Sequence, residues 1–428
     1  MKRIVILGAG FGGLRAATLI ARRLQKLNLS LAYEVLLIDR NSYQTYTPLL
    51  YEIAAASKET VSAAKLYSVA TFSIAGLVRR WPVTFVQATI LKIDVENGEV
   101  DLEDGRSISA DYLVLALGAE TNYFTIRGLH EHAHPFKTFD DALRVREVTW
   151  ALATSRRGSV RIIVAGGGPT GVELASELRF LCGQLVEISP GCHGYRLDVK
   201  LIDANATVLR GSPAAVVERI AKRLASIGVE TLPNERVASL TRERVNLESG
   251  RSLPYDLFVW TGGAVASHLV QNLPLRRTAS GQLEVDGTLE CHPSSSNIEL
   301  GAKVYGIGDN IHFMNPATKQ PVAGMARAAL DQATVVAYNV IEDAKLDAGL
   351  SKEARRVVYR PRDYPYIIPA GGKFAAVRLG SVVLGGLWGW FAKGFVELFY
   401  LTSIMPFPHA MKIWLRGLKI FMQNDRLG

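Results

Sequence analysis

Two glycine-rich turns, each set between a short β-rich run and a helix-like run, constrain this chain more than any other feature. The first is Gly8-Ala9-Gly10-Phe11-Gly12-Gly13 after Ile4-Val5-Ile6-Leu7, and the second is Gly166-Gly167-Gly168-Pro169-Thr170-Gly171 after Ile162-Ile163-Val164-Ala165. A lone G-x-G-x-x-G is a weak signal; the strand before it and the helix after it supply the specificity. In that setting the first glycine permits a tight turn and the second lets backbone approach a pyrophosphate. The third lets the helix pack closely on the strand, and the helix N-terminus faces the phosphates. Two such units predict an α/β fold with two Rossmann-type dinucleotide-binding domains. They also predict two bound nucleotides, most simply a flavin and a nicotinamide that exchange a hydride.

Acidic residues at strand ends support both sites. Tyr33 to Ile38 reads as a strand that ends in Asp39, and Val199 to Ile202 ends in Asp203. A carboxylate there accepts hydrogen bonds from a ribose diol and repels a 2′-phosphate, so Asp203 argues for NADH over NADPH. The step from Gly171 to Asp203 is longer than the usual spacing of about 20 residues, which makes Asp203 the less secure of the two. Arg40, just past Asp39, reads either as a phosphate contact or as a solvated side chain.

At 428 residues the chain is long enough for two or three domains. Its net charge of +9 admits nucleic acid, an anionic membrane or solubility alone as explanations, but no segment resembles a nucleic-acid module. The three cysteines, Cys182, Cys192 and Cys291, form no C-x-x-C pair, which argues against a dithiol redox site and against zinc or any other metal site. They read as reduced thiols. The first strand begins almost at Met1, leaving no room for a signal or transit peptide.

The segment Gly98 to Leu102 with Asp104-Gly105-Arg106 reads as a hairpin, and Ala110 to Gly118 as a buried strand ending at a glycine. The second unit repeats the plan: glycine turn, helix, acid-ending strand, a helix over Ala214 to Ile227, and the run Leu257 to Gly262. Val304 to Asp309 is a further strand ending in glycine and an acid, and a long helix is predicted from about Ala323 to Ala344. These features give a discontinuous FAD-binding domain over 1–125 and 266–345, an NADH-binding domain over 126–265, and a C-terminal interface and membrane-anchoring region over 346–428.

That last region changes character. Leu379 to Ala392 is apolar apart from Ser381, Lys393 interrupts it, and Gly394 to Met411 carries Glu397. Neither piece reaches the roughly 20 uncharged residues a bilayer span needs, so proton pumping is not expected. From Pro369 onward seven Lys/Arg (Lys373, Arg378, Lys393, Lys412, Arg416, Lys419, Arg426) stand against Glu397 and Asp425, interleaved with Trp388, Trp390, Phe391, Phe395, Phe399, Phe407 and Trp414. Aromatics among an excess of cations suit an amphipathic helix lying on an anionic membrane surface. The competing reading packs these aromatics on the flavin domain or on a second subunit.

Longer motifs bring a resemblance into view. Tyr46-Thr47-Pro48-Leu49-Leu50-Tyr51-Glu52-Ile53-Ala54, Leu115 to Phe124, Gly166 to Leu178, Val259-Trp260-Thr261-Gly262-Gly263 and Gly306-Ile307-Gly308-Asp309 occur in this order. Over nearly its full length the chain resembles the type II NADH dehydrogenases, single-subunit NADH:quinone oxidoreductases that do not pump protons. The resemblance implies FAD at the first glycine turn and NAD, as NADH, at the second. It implies a lipid quinone as acceptor, a C-terminal membrane anchor on the cytoplasmic face of the cell membrane, and a homodimer formed through the C-terminal region.

Residue by residue, it implies that Gly8, Gly10 and Gly13, with Phe11 and Gly12 between them, cradle the FAD pyrophosphate, and that Asp39 holds the adenosine ribose. Thr47 and Pro48 would lie beside the isoalloxazine, with Tyr46 next to them toward the quinone pocket. Gly118 would let backbone approach the flavin, and Asp309 would hold the ribityl chain. Gly166, Gly168, Pro169, Thr170 and Gly171 would hold the NADH pyrophosphate, Asp203 its ribose, and Gly262 the nicotinamide half. Glu173 matches a glutamate linked to coupling of the NADH and quinone reactions; the plainer reading is a carboxylate favoured by the helix dipole. Lys373 falls where similar enzymes carry a basic residue near the acceptor.

One motif departs from the pattern. Where the family has two glutamines on the helix bordering the quinone pocket, this chain has Arg327 and Asp331 in Ala326-Arg327-Ala328-Ala329-Leu330-Asp331, spaced to pair on one helix face. That departure keeps two alternatives open. One is an NADPH-preferring reductase of naphthoquinones or plastoquinones; the other is a redox-sensing flavoprotein without quinone turnover.

Overall fold

Near-continuous apolar runs such as Ile4 to Leu7 and Leu113 to Leu115 have no polar face to offer water, the pattern of strands covered on both sides in parallel sheets. In a computed structural model, which describes residues 1–155, 158–188, 196–380 and 382–424, they form such sheets. The chain divides into two compact units. One comprises Met1–Gln44, Phe72–Glu120 and Ala264–Arg362, and the other Thr45–Thr71, Thr121–Gly263 and Asp363–Gly428. Residues 45–71 and the last 66 positions group with the second glycine turn, and 346–362 with the first.

In the first unit, Lys303–Gly306, Tyr112–Leu115, Lys2–Leu7, Tyr33–Asp39 and Thr84–Gln87 lie side by side in that order. All four pairings are parallel, with Ile4 opposite both Val35 and Tyr112. Helix Phe11–Lys26 links the first two strands in sequence and packs on the long helix Ala326–Asp347. The helix buries Leu14, Ala17, Ile20, Ala21 and Leu24, residues spaced three or four apart, so one stripe faces the sheet. The predicted hairpin is present as Glu99–Leu102 paired antiparallel with Ser107–Ser109.

The second unit repeats this layout around its own glycine turn. His134–Pro135, Leu257–Trp260, Ser159–Ala165, Arg196–Ile202 and Glu230–Leu232 form a five-stranded parallel sheet. Helix Pro169–Ile188 follows the central strand, and helix Ala214–Ile227 spans the predicted residues.

The C-terminal region differs from the sequence reading. The apolar run from Leu379 does not form one surface helix. Ala375–Leu379 and Val382–Leu384 pair antiparallel, Gly386 turns the chain with φ near +80, and helices Leu387–Ile404 and Phe407–Asn424 follow. Glycines break the run: an added Cβ at Gly389 would lie 2.0 Å from the Ala375 carbonyl oxygen, so the helix seats directly on the sheet. Trp414 Nε1 donates to the Gly394 carbonyl at 2.8 Å and joins the two helices. Among the described residues no helix is long and apolar enough to cross a membrane.

Candidate dinucleotide and acceptor sites

The two glycine turns have the same division of labour, and it is visible atom by atom. Gly8 has φ near +98, and a Cβ there would meet the Ala116 carbonyl oxygen at 2.5 Å. A Cβ at Gly13 would fall 1.8 Å from the Gly8 oxygen, whereas one at Gly10 would meet nothing within 4 Å. The second turn matches. Gly166 has φ near +116 and abuts Gly262, a Cβ at Gly171 would lie 1.8 Å from the Gly166 oxygen, and Gly168 faces open space. In each turn two glycines are demanded by the fold and the middle one is not. That open position is where backbone can approach a pyrophosphate at a helix N-terminus. Phe11 is half-buried, Gly12 packs against Ile307, and Pro169 and Thr170 are exposed at the start of their helix.

The acids stand beside these turns. Asp39 Oδ2 accepts from the Ala9 backbone N–H at 2.7 Å, and its Oδ1 accepts from that of Asn41 at 2.8 Å. Asp203 is buried, with Oδ1 accepting from the backbone and the side-chain amide of Asn205, both at 2.7 Å. Arg40 is exposed. On the other side of the second turn, Thr261 Oγ1 donates to the Ala165 or Gly166 carbonyl at 3.0 Å, and a Cβ at Gly262 would strike the Trp260 ring at 2.7 Å.

The first unit also holds a cavity of about 280 Å³ lined by Asp309, Gly308, Gly324, Met325, Ala329 and Gln332 among others. Gly308 has φ near +80, and its N–H donates to Gln332 Oε1 at 2.8 Å. Gly118, with φ near +68 and open space where a Cβ would point, donates to Asn310 Oδ1 at 3.2 Å. Asp309 sits against Gly324, where a Cβ would approach its Oδ1 to 2.7 Å. Arg327 and Asp331 do not line this cavity. They pair with each other at 3.7 Å, and Arg362 approaches Asp331 at 3.9 Å. The buried glutamine that does line it, Gln332, is one residue past the register read in the sequence.

The second unit gathers charge that the sequence did not reveal. Thr47 and Pro48 lie on a short 3-10 turn, Thr47–Leu49, followed by helix Leu50–Ala54. Tyr46 is buried and stacks on Tyr400, with ring centroids 5.1 Å apart. Glu52, Glu177 and Glu397 are all buried, and Glu173 is half-buried. The Lys393 ammonium faces them. Lys393 has only 13 % of its side chain exposed and forms an ion pair with Glu52, and its Nζ lies 4.9 Å from the centroid of the Tyr51 ring. Tyr51 completes the contact by donating to Glu52 Oε1 at 3.0 Å.

Charge alone groups Lys393 with the membrane-facing cations. The structure corrects this: it points inward with Glu397, one turn later on the same helix face. The sequence signal was their i, i+4 spacing on the face of Gly389, opposite Trp388, Phe395 and Phe399. Lys373 follows Gly371 and Gly372 and is half-buried; both glycines have positive φ and abut the Phe180 ring.

Burial sets the protonation of this group. It raises the Glu173 carboxyl to about 8, with Lys393 opposing and Glu52 reinforcing the rise. The same three influences, again led by burial, bring Glu397 to about 7. Burial pulls the Lys393 ammonium down, but Glu52, Glu397 and Glu177 outweigh it and the net shift is upward. Burial holds both Tyr46 and Tyr51 well above the ordinary phenol range, and nearby carboxylates add to it.

Cys291 is buried, and burial pushes its thiol up. Cys192 and the Cys182 side chain lie outside the described residues, as do Asp425 and Arg426. Among the described residues no group of His, Cys, Asp and Glu could hold a metal ion.

Two outcomes follow. Both raised carboxyls bind protons more tightly in the folded chain than an ordinary glutamate does, so their stabilisation is complete below about pH 4.5 and is lost as pH rises toward 8. Thermal unfolding of E173Q/E397Q should therefore vary less between pH 5 and 8 than that of the wild type; parallel profiles would mean that these carboxyls are ordinary. Separately, G13A should fail to fold stably. G10A should fold with an unchanged melting temperature and purify with far less bound flavin, read as absorbance near 450 nm.

Comparison with known proteins accords with this geometry. The family model for pyridine nucleotide-disulphide oxidoreductases matches residues 2–333. The chain is 28 % identical over 347 residues to the demethylphylloquinone reductase NdbB of Synechocystis, covering 79 % of this chain and 78 % of that one. It is 32 % identical over 294 residues to an NADH dehydrogenase-like protein of Mycobacterium tuberculosis, covering 68 % and 69 %. It is 26 % identical over 373 residues to the type II NADH:quinone oxidoreductase of Haemophilus influenzae, covering 79 % and 80 %. The fold matches NDH2 of Plasmodium falciparum, solved in complex with NADH, with a TM-score of 0.80 over 99 % of both chains at 18 % identity. With both glycine turns built for dinucleotides, the chain belongs to the pyridine nucleotide-disulphide oxidoreductase family.

Proposed function

We propose that this protein is a membrane-associated flavoprotein oxidoreductase. It takes a hydride from NADH onto FAD and passes two electrons to a lipid quinone without pumping protons. The observation that carries the reading is the matched pair of turns, each closed at its first and third glycines and open at the middle one. Both cradles fit a dinucleotide. Gly8, Gly10 and Gly13 hold the FAD pyrophosphate, Asp39 the adenosine ribose and Asp309 the ribityl chain, while Gly118 leaves space for the ring system. Gly166, Gly168 and Gly171 hold the pyrophosphate of NADH, and Asp203 its ribose. FAD, when bound, supplies the hydride acceptor and the two-electron donor; the protein supplies orientation and electrostatics.

A quinone takes up two protons as it is reduced. Glu173, Glu397 and Lys393 hold exchangeable protons in a buried setting, with Tyr46 and Lys373 in the same unit as further acceptor-side groups. Carboxyls poised between about 7 and 8 are suited to proton exchange at neutral pH. NADH oxidation by the purified yellow protein should accelerate on adding a short-chain quinone. Flavin bleached by NADH and never reoxidised by quinone would replace this reading with that of a redox sensor.

The membrane reading rests on one helix face. Trp388, Phe395 and Phe399 are 75 %, 66 % and 62 % exposed, and Phe391, Val396 and Leu387 extend the same apolar surface. Helix Phe407–Asn424 adds exposed Phe407, Leu415 and Met422 beside the exposed cations Lys412, Arg416 and Lys419. We assign this face to an anionic bilayer at the cytoplasmic side of the cell membrane; a homodimer through the same region is the other cover it could take. Removing the tail is a poor test, because helix Leu387–Ile404 also carries the buried Lys393 and Glu397. The triple variant W388S/F395S/F399S should keep its melting temperature and bind anionic vesicles at least about 100-fold more weakly, since each buried aromatic contributes roughly 1.5–3 kcal/mol. Unchanged vesicle binding together with loss of a dimer would move the face to subunit contact.

A further inference from the structure

The second glycine turn has one charged neighbour that the proposed function leaves unused. After Asp203 the chain folds back over the turn, and the Leu209 N–H donates to the Gly167 carbonyl oxygen at 2.7 Å. Leu209 is buried yet left-handed, with φ near +55, so the fold-back is held against a backbone preference. The next residue, Arg210, is thereby left exposed at the rim of the turn. Its Nη1 donates to Asn205 Oδ1 at 3.1 Å, and Asn205 donates its backbone and side-chain N–H groups to Asp203 Oδ1, both at 2.7 Å. The other Asp203 oxygen faces Gly167, where an added Cβ would lie 2.0 Å from it.

One oxygen of the ribose-selecting acid is therefore already engaged, and an exposed guanidinium stands one side chain away. An acid at this strand end favours a free ribose diol, whereas a nearby arginine accommodates a 2′-phosphate. Here the same short loop carries both. We propose that Arg210 is a specificity-determining residue that receives the 2′-phosphate of NADPH, so that the second site accepts NADPH as well as NADH. The proposal rests on reading the second glycine turn as the nicotinamide dinucleotide site. The planar fork of arginine matches a phosphate through two parallel hydrogen bonds. Reaching one from Asn205 needs only rotation of an exposed side chain, and releasing Asn205 leaves Asp203 still held by the Asn205 backbone.

The test uses the full-length flavoprotein and two readouts. Calorimetry measures binding of adenosine 2′,5′-bisphosphate and of 5′-AMP, and stopped-flow bleaching measures reduction by NADPH and by NADH. In R210A the bisphosphate and NADPH should bind about 10- to 100-fold more weakly, the size of a charge-assisted pair, while 5′-AMP and NADH stay within about 2-fold. R210K should fall between, keeping the charge without the fork, and D203N should shift the preference further toward NADPH. Equal losses for both nucleotides, or NADPH binding indifferent to Arg210 while NADH binds normally, would overturn the proposal. A wild-type protein that binds neither nucleotide would remove the parent reading and this one with it.

Discussion

The contact between Lys393 and Glu52 ties the far end of the chain to one of its most characteristic motifs. Glu52 belongs to the Tyr46 to Ala54 stretch, and Lys393 lies more than 300 positions later on helix Leu387–Ile404. An isolated ammonium or carboxylate is expensive to bury, and removing one member of a buried pair typically costs about 3–5 kcal/mol. Here Lys393 answers more than one acid, since Glu52, Glu397 and Glu177 all act on it. The second unit can hold them together only if Lys393 stays charged and some of the carboxyls stay protonated. The directions of the shifts at Lys393, Glu173 and Glu397 describe that compromise.

The helix that carries Lys393 has two faces of opposite character. Gly389, Lys393, Glu397, Tyr400 and Leu401 point inward, and Trp388, Phe391, Phe395 and Phe399 point outward. The inward face is charged and the outward one apolar, the reverse of a helix packed on a soluble core. Such an inversion is stable only if something other than bulk water covers the aromatic side, since exposed apolar patches of this kind mark interaction surfaces. The charged face explains why the helix stays folded onto its unit all the same.

Most of the dinucleotide architecture was legible in the sequence because glycine roles are local. Positive φ at Gly8 and Gly166, and van der Waals exclusion at Gly13 and Gly171, follow from residues a few positions apart or on the adjoining strand. Helix Ala214–Ile227 was legible for the same reason: its apolar spacing starts after Pro213 and ends at Gly228, whose φ near +79 suits a helix terminus. The orientation of Lys393 was not legible by counting charges, since composition cannot say which way a charged side chain faces. Nor was Gln332. The motif register points to Arg327 and Asp331, whereas on a helix a shift of one residue rotates the side chain by about 100° and changes which one reaches the cavity.

The two dinucleotide turns, alike in their glycines, differ at the residue between the first two. Position 9 is alanine, and its N–H donates to Asp39 Oδ2 at 2.7 Å with room for the methyl group. Position 167 is glycine, and the fold requires it, because Asp203 Oδ2 occupies the space a methyl group would fill. The second acid thus lies deeper under its turn than the first, while each gives its Oδ1 to the residue two positions on, Asn41 or Asn205. A ribose-selecting carboxylate that is held back in this way discriminates less sharply by repulsion alone. Identical motifs in one chain therefore need not carry identical selectivity: Ala9 and Gly167 set how far each acid reaches toward the sugar, and the charge next to it, Arg40 in one case and Arg210 in the other, acts on what remains.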